Sequence, residues 1–309
     1  MRVVVCLLLA VLSGCVVDLA PGAPDESEGE GEGEAGEGEA GEGEGEEGEG
    51  EAGEGEGEAG EGEGEAGEGE AGEGEGEGEA GALVPGTSRF DIAALGLNYS
   101  GVLVVPEAAS RGPVPLVVAF HGNGDTAENF IASKGLAQIA ESQGFVLAVP
   151  QGIARPITAF GQNLGTLSWD AYNTPNENPD IVLFDELVQQ LMASNSIDPR
   201  RCHVLGYSQG GYLAFHIAMA RSETVASGVV IAASDPLGGQ LAQSAVRAIP
   251  MGLRVGSNDF AATALRADRD RLAARGHEVV YEEISGAGHV PLPGDVATLF
   301  AFLVQRQLP

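Results

Sequence analysis

Apolar and polar positions divide the chain into three unlike stretches. Val3 to Leu12 is a short apolar run behind Arg2. From about Pro21 to Gly81 almost every residue is Glu, Gly or Ala, and no apolar face repeats. From Leu83 onward, apolar blocks alternate with polar ones. Leu95 to Val105 predicts early strands at an antiparallel edge. Leu116 to Phe120 is continuously apolar, the pattern of a strand buried on both faces. Thr126 to Ser142 carries Phe130, Leu136, Ile139 and Ala140 at helical spacing, and Phe145 to Val149 predicts the next buried strand. Pro179 to Ala193 reads as an amphipathic helix with Ile181, Phe184, Leu187, Val188 and Leu191 inward. A strand over Cys202–Tyr207 precedes a helix over Tyr212–Ala220. Strands follow at Gly228–Ala232 and Met251–Val255, then a charged helix at Ala261–Arg275 and a strand at Glu278–Ile284. A helix over Pro293–Gln307 closes the series. Such alternation predicts an α/β fold, a mostly parallel central sheet with helices on both faces. About 227 residues suffice for one such domain with a substantial core.

The first stretch reads as an export signal, too short for a membrane-spanning helix of about 20 residues. Its end, Leu12-Ser13-Gly14-Cys15, resembles a bacterial lipobox. The resemblance implies a signal over 1–14, a lipid on Cys15 and anchorage to the cell envelope. Val16 rather than an aspartate after Cys15 favours the outer membrane by the same resemblance. The alternative is an ordinary signal that contains a cysteine. With Cys6 in the signal and Cys15 lipidated, Cys202 stands alone without a disulfide partner. Its apolar context suits a buried core residue.

Residues 15–82 then form a tether. Glu-Gly-Ala repeats bury nothing, and like charges repel, so an extended disordered spacer is expected. About 60 such residues reach at most about 200 Å. Loose divalent-cation binding is the other reading. The net charge of −32 belongs mainly to this segment: Asp25 to Glu79 holds 26 acidic and no basic side chains. From Ala82 onward there are 20 acidic and 14 basic residues, so the domain at 83–309 is only mildly acidic. No basic patch points to nucleic acid.

Gly206-Tyr207-Ser208-Gln209-Gly210 carries the most specific chemistry. It fits G-x-S-x-G and lies between an apolar strand and an apolar helix. A serine nucleophile needs a sharp turn there to lift its hydroxyl clear of the sheet, and small neighbours to let the strand end meet the helix start. The helix N-terminus beside it offers free N–H groups and a positive dipole end.

Over roughly 90–307 the chain resembles the α/β-hydrolase superfamily. His121-Gly122-Asn123-Gly124-Asp125-Thr126 and Gly206-Tyr207-Ser208-Gln209-Gly210-Gly211 resemble the carboxylesterase/acyl-protein thioesterase branch. Pro115 to Phe130, with Trp169 and Asp180-Ile181-Val182-Leu183-Phe184, resembles polyhydroxybutyrate depolymerase and feruloyl-esterase-like proteins. In that fold an acid and a histidine follow the serine in chain order. Asp259, after the Met251–Val255 strand, is the candidate acid, with Asp235 after the preceding strand as the alternative. His289, in the flexible Gly-rich loop Ser285–His289, is the candidate base. Asp268 and Asp270 read as a solvated helix face and His277 as surface. His203 and His216 suit packing or local hydrogen bonds, and His121 suits loop shaping. The backbone N–H of Gln209 is one expected oxyanion donor. The resemblance supplies the N–H of Asn123 as the second.

No metal-ligand spacing or nucleotide fingerprint appears, so neither metal nor cofactor is expected. The long connection Gln151–Asn178 should lie over the carboxyl edge of the sheet. Trp169 and Tyr172 then either line the substrate pocket or pack the loop down. No large lid insertion is present. The expected activity is serine carboxylic-ester hydrolysis through an acyl-enzyme. Alternatives are an esterase directed at polymers, a serine peptidase, or a non-catalytic surface module of the same fold.

Overall fold

The computed structural model describes residues 81–309 except 156–157, 160–161, 164–165 and 291–293. The signal, Cys15 and the acidic tether lie outside the described residues. β1 (Gly86–Ala94) and β2 (Leu97–Val105) form an antiparallel hairpin. Its two turn residues, Leu95 and Gly96, sit at φ of 47° and 77°, as a two-residue hairpin turn requires. The sequence reading placed no strand before Leu95. Thr87 to Ala93 alternates weakly and is mostly exposed, so its apolar signal is faint.

β3 (Val114–Phe120) leads to α1 (Ala127–Ser133) and α2 (Leu136–Gln143). The single helix expected over 126–142 breaks at Gly135, which takes a left-handed φ of 61°. β4 (Val146–Pro150) follows. The long connection then folds as two small hairpins, β5 (Ile153–Arg155) with β8 (Thr166–Ser168), and between them β6 (Thr158–Ala159) with β7 (Gln162–Asn163). α3 (Pro179–Met192) starts at Asn178, whose side chain accepts from the N–H groups of Asp180 and Ile181. After it come β9 (Ile197–Tyr207), α4 (Gln209–Ala220), β10 (Val225–Ile231), β11 (Met251–Gly256), α5 (Ala262–Ala274), β12 (Val279–Ile284) and α6 (Val296–Val304).

Eight strands form one sheet in the order β1-β2-β4-β3-β9-β10-β11-β12. β1–β2 and β2–β4 are antiparallel; the other neighbours are parallel. Every residue of β3, β4, β10 and β11 is buried, which in β3 and β4 explains the unbroken apolar runs. The pleat divides β3 between two cores. Leu116, Val118 and Phe120 pack with Phe184 of α3, Phe215 of α4 and Leu265 of α5. Val117 and Ala119 pack with Phe130 of α1, Leu136 of α2 and Phe300 of α6. Each fully buried side chain of this size contributes about 1.5–3 kcal/mol.

Two expectations fail on burial. Asp268 is only 2 % exposed and accepts from the Asp235 N–H at 2.8 Å and the Arg271 guanidinium at 2.7 Å. It shares the inward face of α5 with Leu265 and Leu272, three and four positions away, which the surrounding charges conceal. His277 is 6 % exposed, with Nδ1 3.1 Å from both the N–H and the carbonyl of Ile249.

Candidate active site

β9 ends at Tyr207 and α4 begins at Gln209. Ser208 makes the turn between them at φ 52°, ψ −120°. A non-glycine residue held there stores about 1–3 kcal/mol and persists only where its surroundings impose it. Here they do. The Ser208 N–H donates to the Ile231 carbonyl at 2.9 Å, and its own carbonyl accepts from Gly211 and Tyr212. A Cβ on Gly206 would stand 2.0 Å from the Gly210 carbonyl oxygen, and one on Gly210 would stand 2.3 Å from that of Phe120. The close approach therefore excludes any side chain at either position.

His289 Nε2 lies 2.9 Å from Ser208 Oγ, and His289 Nδ1 lies 2.9 Å from Asp259 Oδ2. A carboxylate only accepts, so Nδ1 carries the proton and Nε2 is left to accept from the hydroxyl. The other Asp259 oxygen accepts from the Ala261 N–H at 2.8 Å. The histidine loop, expected to be flexible, is stitched to the acid loop. Asn258 N–H donates to the Ala287 carbonyl, Gly286 N–H to Ser257 Oγ, both at 2.8 Å. A Cβ on Gly256 would come within 2.3 Å of the Ala287 oxygen, so these two backbones touch. The imidazole has two aromatic neighbours, Tyr207 at 5.4 Å and Phe260 at 4.6 Å between centroids.

Gln209 is the first residue of α4, where backbone N–H groups lack helical acceptors. The His121-Gly122-Asn123 loop lies against the elbow: a Cβ on Gly122 would meet the Tyr207 ring at 3.0 Å and the Ser208 Cβ at 3.6 Å. Asn123 is exposed, and its Oδ1 accepts from the Thr166 hydroxyl. Trp169 is 2 % exposed. Its indole N–H donates to the His121 carbonyl at 2.8 Å, and its backbone N–H donates to Gln209 Oε1 at 3.1 Å. It packs edge-on against Phe120. These contacts tie the long connection to both the His121 loop and the start of α4. Tyr172 is half-buried against the same core, with its phenol pushed up to about 12 by burial.

The remaining candidates have other partners. Asp235 accepts from the N–H groups of Leu237 and Leu241, both at 2.7 Å. His203 meets Ser227 Oγ, and His216 meets the Ala171 carbonyl. His121 Nε2 accepts from the Gly152 N–H at 3.0 Å while Nδ1 faces the Gly122 carbonyl, so it shapes the loop. Cys202 is fully buried and its thiol is pushed up to about 12, which leaves it unreactive. Among the described residues no cluster of three His, Cys, Asp or Glu side chains is arranged to hold a metal ion, and no helix is long and apolar enough to cross a membrane.

Sequence reasoning missed a buried knot below the loop. Asp180 accepts from Tyr99 Oη at 2.7 Å and from both terminal nitrogens of Arg155 at 2.7 Å. It also takes the Asp170 N–H at 2.5 Å. An aspartate in a first helical turn reads as an ordinary dipole partner, and nothing local marks it as buried.

A family described as "Putative esterase" matches residues 92–273. The chain is 25% identical over 122 residues to the "Putative esterase NocK" of Nocardia uniformis subsp. tsuyamanensis, covering 40% of this chain and 33% of that protein. It is 25% identical over 137 residues to "Feruloyl esterase B" of Thermothelomyces thermophilus, covering 43% of each. The chain thus spans less than half the length of these curated relatives. An S-formylglutathione hydrolase structure from Agrobacterium tumefaciens superposes with a TM-score of 0.57 at 18% identity, covering 71% of this chain and 95% of that one.

Proposed function

The chain belongs to this esterase family of the α/β-hydrolase superfamily, and from that premise we propose that it is a serine carboxylic-ester hydrolase working through an acyl-enzyme. The observation that carries the reading is the unbroken relay Ser208–His289–Asp259, 2.9 Å at each step. Ser208 Oγ attacks the ester carbonyl carbon as its proton passes to His289 Nε2. Asp259 holds the Nδ1–H and stabilises the imidazolium. The backbone N–H groups of Gln209 and Asn123 receive the developing oxyanion, where one such donor is worth about 2.7–4 kcal/mol. The carbon–oxygen bond to the alcohol breaks, and the alcohol leaves with the proton from His289. Water then attacks the acyl-Ser208, gives its proton to His289, and releases the acid as Ser208 regains its hydrogen.

Hydrolysis of p-nitrophenyl esters from acetate to decanoate, with Ser208→Ala alongside, tests this. Turnover by the wild type and its loss in the variant is expected, as is labelling of Ser208 by a fluorophosphonate. A folded wild type that neither turns over nor labels overturns the reading. The similarity to a feruloyl esterase favours a second reading, an esterase that acts on polymer-bound esters. Release of acid from an insoluble polyester or esterified polysaccharide, against a matched soluble ester, separates the two. We further propose that Cys15 carries a lipid and that the acidic tether spaces the domain from a bacterial membrane. Cys15→Ser should then move the activity from the membrane fraction to the soluble one.

A further inference from the structure

Among the described residues seven large apolar side chains are exposed, and two of them directly follow the acid and the base: Phe260 after Asp259, and Val290 after His289. Phe260 is the only aromatic of the seven. It is 47 % exposed, although its ring lies 4.6 Å from the His289 imidazole at an angle of 32°. Tyr207, the other aromatic neighbour of the imidazole at 5.4 Å, is buried. Of the two aromatic residues beside His289, only Phe260 offers apolar surface to solvent.

The chemistry says what meets that surface. His289 must hand its proton to the departing alcohol oxygen, so that oxygen comes within hydrogen-bond reach of Nε2. The Phe260 ring, 4.6 Å from the imidazole, is within reach of that alcohol. The acyl half is fixed at the other end by the oxyanion donors. We propose that Phe260 is a specificity-determining residue, the wall for the leaving group, and that it selects esters of apolar, ring-bearing alcohols. This rests on the hydrolase reading above.

The test holds the acid constant and varies the alcohol: methyl, butyl, cyclohexylmethyl and benzyl acetates. Methanol and benzyl alcohol have similar acidity, so the pair differs mainly in apolar surface. In the wild type, kcat/KM should rise from methyl to benzyl. In Phe260→Ala the benzyl-to-methyl preference should fall about tenfold, mostly through KM, the size of one aromatic contact plus the apolar area it covers. Phe260→Tyr should restore the preference and Phe260→Leu should keep part of it. Melting temperatures would show that the variants are folded. If the preference in Phe260→Ala equals that of the wild type, or if all four esters lose kcat alike, the ring only braces the imidazole and the inference is overturned while the hydrolase reading stands. If the wild type hydrolyses none of the esters and takes up no fluorophosphonate, the hydrolase reading itself has failed, and this inference with it.

Discussion

The indole N–H of Trp169 donates to the carbonyl oxygen of His121 at 2.8 Å. That contact joins the long β4–α3 connection to the loop that carries Asn123. The backbone N–H of the same residue holds Gln209 Oε1. One residue, through its indole and its backbone N–H, thus braces both segments proposed to receive the oxyanion. Trp169→Phe keeps a ring against Phe120 but leaves a buried carbonyl without its donor, at a cost of about 1–3 kcal/mol. We expect kcat to fall several-fold with KM little changed, because positioning of the oxyanion donors matters most in the transition state. Steady-state kinetics with a short acyl ester, beside urea denaturation, measures both effects. A change in KM alone would return Trp169 to the substrate pocket.

Beneath that strut lies the Arg155–Asp180 pair. The Asp180 side chain is fully buried and that of Arg155 is 20 % exposed. Arg155 also donates to the Ser168 carbonyl at 2.8 Å, next to Trp169. Arg155→Met should leave Asp180 as an uncompensated buried charge and cost about 3–5 kcal/mol. The double variant Arg155→Met/Asp180→Leu should recover part of that loss, since the surviving charge is gone. Denaturant unfolding of the wild type, both single variants and the double variant gives the coupling. Additive losses would show that the knot does not act as a unit.

The parts of this molecule that were legible in the sequence are those whose physics is local. β3 and β4 are buried on both faces and so are apolar at every position. The elbow needs glycine at 206 and 210 because a Cβ there would fall 2.0 and 2.3 Å from backbone oxygens, and glycine is visible in a sequence. Asp259 and His289 stand in the loops that follow β11 and β12, where the alternation of elements places them. What escaped was set by distant neighbours. Asp268 and His277 are buried by contacts with 235 and 249, which no periodicity announces. The break at Gly135 depends on a backbone angle that glycine permits but does not demand. Trp169 was visible as the sole tryptophan, yet its partners His121 and Gln209 lie 48 and 40 residues away.

Asp259 and Asp235 both follow central strands, so substitution separates them. Asp259→Asn keeps the shape but presents the wrong partner to His289 Nδ1, and kcat should fall on the order of a thousandfold or more with little loss of stability. Asp235→Asn removes one acceptor from the pair of N–H groups at Leu237 and Leu241, so it should cost about 1–3 kcal/mol of stability while kcat stays near wild type. A thousandfold loss in the Asp235 variant with the Asp259 variant active would exchange their roles.

Stability should also depend on pH through the buried histidines. Burial, with Arg201 and Arg306 nearby, pushes His203 down to about 3, and burial lowers His121, His216 and His277 as well. An unfolded chain protonates these imidazoles near 6.5. Below that pH the unfolded state binds protons that the folded state refuses, so stability falls as pH falls. Burial raises Asp235 and Asp268 instead. They act in the opposite sense, because the folded state keeps their protons above the unfolded carboxylate range of about 3.9. His203→Gln should remove up to one proton from the linkage, a slope of about 1.4 kcal/mol per pH unit well below 6.5. Urea unfolding at pH 7.5, 6.5, 6.0 and 5.5 should show wild type and variant converging in stability as the solution is acidified. Parallel curves would mean that His203 accepts a proton in the folded protein, and that the space between β9, β10 and α6 admits water.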